Sequence, residues 1–113
     1  MRCVRRGGVI LVAVLLAGCS TARVDERMSY WRTQTAAQLP AGTPKAQASA
    51  FFESRGVPLK CCVSERRNQW LHFAAERGVG RSLWTTYDVV VLVELSADDR
   101  VTDIRVQRWG VGL

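Results

Sequence analysis

The chain has 113 residues, 48% of them apolar, with a formal charge of +6. That length supports one small domain and no more. The basic excess is spread along the chain without a dense stripe, which argues against nucleic acid as a partner.

The first twenty residues have a graded pattern. Arg2, Arg5 and Arg6 form a cationic start. Val9 to Ala17 is an apolar run far short of the roughly 20 residues that a spanning helix needs. Small residues then precede Cys19, and Ser20-Thr21-Ala22-Arg23 is polar again. The pattern resembles a bacterial lipoprotein signal closed by the lipobox Leu16-Ala17-Gly18-Cys19. On that reading residues 1–18 are removed, and Cys19 becomes the first residue, with acyl chains on its sulfur and amine. Each buried methylene contributes about 0.8 kcal/mol, so three chains make the membrane anchor effectively permanent. The alternatives are an ordinary secretory signal followed by a chance cysteine, or an uncleaved anchor. Ser20 stands where enterobacterial inner-membrane lipoproteins carry an aspartate, which favours the outer membrane, facing the periplasm.

Removing the first 18 of 113 residues leaves 95, and three of the sixteen basic residues go with them, leaving thirteen against ten acids, or +3. Cys3 leaves with the signal and Cys19 is lipidated, so the folded part keeps Cys61 and Cys62. The envelope is an oxidising compartment. Neighbours on a strand point to opposite faces, so a disulfide between these two requires a distorted turn.

Residues 19–25 read as a lipidated tether and 26–113 as a single small α+β domain. Asp25 caps a short helix running to about Gln38, in which Met28, Trp31, Thr35 and Leu39 recur at helical spacing. Pro40-Ala41-Gly42 breaks it. Thr43 is a natural N-cap and Pro44 suits the first helical position, so a second helix is expected over Lys45–Arg55, buried through Ala48, Phe51 and Phe52. Gly56 and Pro58 stop it.

Strands follow. Leu59, Cys61 and Val63 alternate with Lys60, Cys62 and Ser64, and Glu65-Arg66-Arg67-Asn68 is a turn. Gln69–Ala75 is a second strand, with Leu71, Phe73 and Ala75 on the core face and Trp70, His72 and Ala74 on the other. Gly78-Val79-Gly80 reads as a flexible loop. Ser82–Leu95 is the longest strand, with Tyr87, Val89, Val91, Val93 and Leu95 inward. Ser96–Arg100 is a hairpin loop, and Val101–Trp109 is the last strand, with Ile104 and Val106 inward. Short loops between four strands make an antiparallel meander, with one or two N-terminal helices packed on it.

This layout resembles the small outer-membrane lipoproteins of the SmpA/OmlA/BamE type. The matching residues are the lipobox, the helix start Gly42-Thr43-Pro44, the stop Gly56-Val57-Pro58, and the hairpin from Val91 to Thr102 with its acidic turn Asp98-Asp99. Coverage is nearly the whole mature chain. The resemblance implies a lipid-anchored accessory subunit of the machinery that inserts β-barrel proteins. The Cys61-Cys62 pair is a departure, since the family pattern lacks it.

No nucleophile–base set stands out, and neither an enzyme nor a cofactor is expected. His72 is the sole histidine, and no serine, cysteine or carboxylate adjoins it in sequence. The adjacent thiols Cys61 and Cys62 can bind a soft metal, form a strained redox-active disulfide or link to another chain. The competing reading puts Cys61 in the core, in step with Leu59 and Val63, and Cys62 on the other face. Structural zinc wants four Cys/His ligands, and Cys61, Cys62 and His72 make three. Asp98, Asp99 and Asp103 read as a solvated hairpin, and Arg66, Arg67, Arg77 and Arg81 as wet loop residues that can meet lipid phosphates. Trp70, Trp84 and Trp109 fall opposite the presumed core with Val90 and Leu92. Either the Met28/Trp31 helix covers that face or it is a docking surface for an envelope protein.

Overall fold

A computed structural model describes residues 12–66 and 69–112. The cationic start at Arg2, Arg5 and Arg6, and Arg67-Asn68 of the first hairpin turn, lie outside them. Two helices, α1 (Val12–Gln38) and α2 (Lys45–Ser54), precede strands β1 (Lys60–Arg66), β2 (Gln69–Arg81), β3 (Thr85–Leu95) and β4 (Val101–Gly112). The strands form one antiparallel sheet in the order β1-β2-β3-β4. This is the expected α+β architecture, helices packed on a four-stranded meander.

α1 buries the expected stripe, with Trp31, Thr35 and Leu39 inside. It begins earlier than the sequence suggests, and the stretch read as a tether is helical. Val24 is fully buried and belongs to the helix-side core. α2 stands against the same sheet face. Trp31 meets Phe52 at 5.9 Å and Phe51 at 6.3 Å between ring centroids. α1 therefore does not cover the far face of the sheet.

The start of α2 is built differently from expectation. Pro44 is the cap residue, and the Thr43 hydroxyl donates back to the Pro40 carbonyl at 2.6 Å. The first helical N–H, that of Lys45, is satisfied by the Asp99 carbonyl at 2.9 Å. Together with Gly42 N–H to Val101 O at 2.7 Å, this ties the interhelical loop to the β3–β4 hairpin. The C-terminus is as read: Gly56 has φ +78, its N–H reaches Glu53 O, and Val57 N–H reaches Phe52 O. That is a Schellman closure, which satisfies carbonyls that would otherwise have no partner.

Three features of the sheet depart from the sequence reading. Gly78-Val79-Gly80 is part of β2 rather than a loop, and β4 extends through Gly112. The register of β2 against β3 is interrupted between Glu76 and Gly80, where Gly78 has φ +63 and its N–H donates to Asp88 Oδ1 at 2.8 Å. β2 also faces the other way. Ala74 joins the helix-side core with Val89, Val91 and Val93, while Leu71 joins Val90 and Leu92 in a second cluster on the opposite face. Val89 to Val93 are all buried, so β3 is apolar on both sides. With both faces of the neighbouring strand buried, alternation along β2 no longer tells which face is which.

Candidate functional site

The first hairpin gathers the chain's sulfur and imidazole chemistry. In β1–β2, Lys60 is opposite Phe73 and Val63 opposite Leu71, so β1 has one more residue than β2 over this interval. The extra residue makes a bulge, and the bulge holds Cys61 and Cys62. They are bonded to each other as a vicinal disulfide across a cis peptide bond. This corrects the expectation that Cys61 packs in the core: Cys61 is exposed and Cys62 half-buried. Alternation fails because the bulge breaks it.

His72 stands across the hairpin. Its Nδ1 lies 3.9 Å from Cys62 Sγ. The donor atoms of Cys61, Cys62 and His72 all fall within 4.8 Å of one another. The sequence carried a signal for this: a hairpin turning at residues 65–68 sets positions 61 and 62 opposite 72 and 71. His72 is half-buried, and its pKa is lowered from the ordinary imidazole value. Burial is the main cause, and the positive charge of Lys45 adds to it, against an opposing effect of Asp99. The tie between α2 and the β3–β4 hairpin is what brings those two charges to this place.

The three tryptophans do not share one surface. Trp70 follows the parity of His72 and Ala74, so it lies on the helix side of the sheet, at the β1–β2 end. Trp109 pairs with Asp88, in step with Val90 and Leu92, on the opposite side near the end of β4. Trp84 lies in the loop between β2 and β3. β2 spans 13 residues, about 40 Å at roughly 3.3 Å per residue, so Trp70 and Trp84 are at opposite ends.

The Trp84 end is notably apolar. Leu83 is 81% exposed, Trp84 71% and Val111 52%, with Trp109 at 38%. The same end receives α1. Asp25 of α1 meets Arg108 at 3.7 Å, while Leu39, after the last turn of the helix, reaches the beginning of β4. α1 thus runs antiparallel to β4. Five residues of helix separate Val24 from Cys19, about 7.5 Å of rise towards the Trp84 end.

Several other charges pair with one another. Asp98 meets Arg100 at 3.6 Å and is hydrogen-bonded by the Ser96 hydroxyl, while Asp103 meets Arg105 at 3.6 Å. Arg77 stands 3.8 Å from Asp88. An open groove of about 650 Å³ between α1 and β4 is lined by Arg32, Thr35, Leu39 and the β4 run from Val101 to Gln107, and no histidine or cysteine lines it. Among the described residues, no helix is long and apolar enough to cross a membrane. No family model, curated protein or solved structure matches this chain.

Proposed function

We propose that this chain is a lipid-anchored envelope protein with a non-catalytic binding and scaffold role, accessory to outer-membrane assembly or integrity. The observation that carries the reading is the coincidence of two ends. α1 leads from Cys19 into the core at the same end of the sheet that exposes Leu83, Trp84 and Val111. Lipidation at Cys19 holds that end at the membrane surface, where a second envelope protein is met.

Large aromatic residues are costly to leave in water and are enriched in protein interfaces. A loop carrying adjacent Leu83 and Trp84 therefore suits a partner surface better than free solvent. The outer-membrane location rests on the lipobox and Ser20, and the assembly role on the resemblance to the SmpA/OmlA/BamE type. In the oxidised state Cys62 Sγ, 3.9 Å from His72 Nδ1, is held in a disulfide, and that state offers no thiolate for nucleophilic chemistry.

The test is affinity purification of the C-terminally tagged, lipidated chain from cross-linked cells beside a Cys19→Ala control. Recovery of an outer-membrane assembly component with the lipidated chain, lost in the control, is the expected result. Recovery of the lipidated chain alone overturns the reading.

A further inference from the structure

A different part of the molecule carries a second role, independent of docking. We propose that the reduced Cys61 and Cys62 thiolates and His72 Nδ1 form a three-coordinate site for a soft monovalent cation, Cu(I), and that the vicinal disulfide is its closed state.

The geometry is close to assembled. Bonds of about 2.3 Å to sulfur and about 2.0 Å to nitrogen, set 120° apart, place the two donor atoms about 3.7 Å from each other. Cys62 Sγ and His72 Nδ1 are 3.9 Å apart. The three donors belong to the β1–β2 hairpin and all lie within 4.8 Å of one another, and breaking the Cys61–Cys62 bond frees the two sulfurs to part to the roughly 4 Å that two such metal–sulfur bonds require. Exposed Cys61 leaves a path for the ion to enter.

The donor set selects the ion. No fourth histidine, cysteine or carboxylate joins the cluster among the described residues, which leaves a tetrahedral structural zinc site one ligand short. Two thiolates and an imidazole suit Cu(I), which is soft and is satisfied by two or three donors. Copper with two thiolates carries one net negative charge, and the Lys45 ammonium is near enough to act on His72.

Opening the site needs two electrons and two protons. A dithiol reductant supplies them: one of its thiolates attacks a cysteine sulfur, the Cys61–Cys62 bond breaks, and a mixed disulfide forms. The reductant's second thiol resolves that intermediate and leaves as its own disulfide. Cys61 and Cys62 are then thiols, and Cu(I) displaces their two protons on binding. Reoxidation passes two electrons from the thiolate pair to a disulfide acceptor, which takes up two protons and leaves as thiols, and the re-formed Cys61–Cys62 bond releases the metal as Cu(I).

The experiment uses the full-length chain carrying Cys3→Ser and Cys19→Ser, so that only the pair offers thiols. Cu(I) alone is titrated anaerobically against a chromophoric Cu(I) chelator, before and after reduction with a phosphine that is then removed. The expected result is one Cu(I) per reduced chain, with thiolate-to-copper charge-transfer absorption, and none bound by the oxidised chain. Cys61→Ser/Cys62→Ser abolishes binding. His72→Ala and His72→Gln each weaken it by about tenfold or more, the scale on which even supporting groups of a metal site matter. Far-UV circular dichroism confirms that each variant is folded, and the milder His72→Gln decides if His72→Ala is not. Equal binding by oxidised and reduced chains overturns the proposal, as does unchanged affinity in folded His72→Gln, or tighter binding of Zn(II) than of Cu(I).

Discussion

Glu76 shows how a single side chain joins helix to sheet. It sits on β2 in step with Ala74, and its carboxylate accepts from Arg27 Nε at 3.0 and 3.1 Å and from the Trp31 indole N–H at 2.9 Å. Arg27 also lies over the Tyr30 ring, 4.2 Å from its centroid. Truncating the carboxylate leaves an indole N–H and a guanidinium without a partner at a half-buried seam. Hydrogen bonds to a charged group contribute about 1.5–3 kcal/mol, and partial exposure of both side chains screens part of the ion pair. Glu76→Ala should therefore lower the unfolding free energy by about 2 kcal/mol in urea denaturation. Glu76→Gln, which keeps an acceptor for Trp31, should cost less. Equal losses in the two would assign the whole effect to charge. Sequence periodicity places Trp31 inside, because an apolar stripe is a property of one helix. It is silent on Glu76, because that contact depends on which way β2 faces.

At the scale of elements, punctuation was legible and facing was not. The end of α2 follows from Gly56 and Pro58 alone, since only glycine enters the left-handed region at little cost. Gly56 has φ +78, and a Cβ there would meet no atom within 4 Å, so substitution is resisted by backbone conformation rather than by crowding. Gly56→Ala should cost about 1 kcal/mol, read as a lower urea midpoint with an unchanged m-value. A neutral result would mean that the closure of α2 rearranges without loss. The β3–β4 hairpin was equally readable from its acidic turn. β2 was not: Leu71 and Phe73 outweigh Ala74 in hydropathy, yet it is small Ala74 that lies under the helices with Trp31 and Phe52. Bulky aromatics on the helices leave room for a small residue on the sheet, and packing volume of that kind is invisible in a single strand's alternation. Gly78-Val79-Gly80 has a loop's composition, but Val79 is buried and the carboxylate of Asp88 receives the N–H of Gly78, so the segment stays in the sheet. The vicinal disulfide is among the pairings the sequence allows, but the exposure of Cys61 is not legible, since the extra residue in β1 removes the alternation on which its placement in the core depends.

At the scale of the whole molecule, the sheet has two chemically different ends. One holds the Cys61–Cys62 disulfide, His72 and exposed Trp70. The other holds Leu83, Trp84 and Val111, with Trp109 nearby and α1 arriving from Cys19. A docking surface made of all three tryptophans, as the sequence suggests, would have to span both ends and both faces. The proposed scaffold role instead divides them. If a partner is met beside the lipid anchor, Trp84→Ala and Trp109→Ala should each weaken its co-purification with the lipidated chain, while Trp70→Ala leaves recovery unchanged. Loss of a central interface aromatic typically costs about 2 kcal/mol or more, roughly thirtyfold in affinity, which quantitative cross-linking resolves. The side chain of Trp84 is 71% exposed in a loop, so its truncation should leave the thermal midpoint of the free domain where it was, separating lost docking from lost folding. The reverse pattern, with Trp70→Ala alone releasing the partner, would move the contact to the disulfide end and away from the membrane.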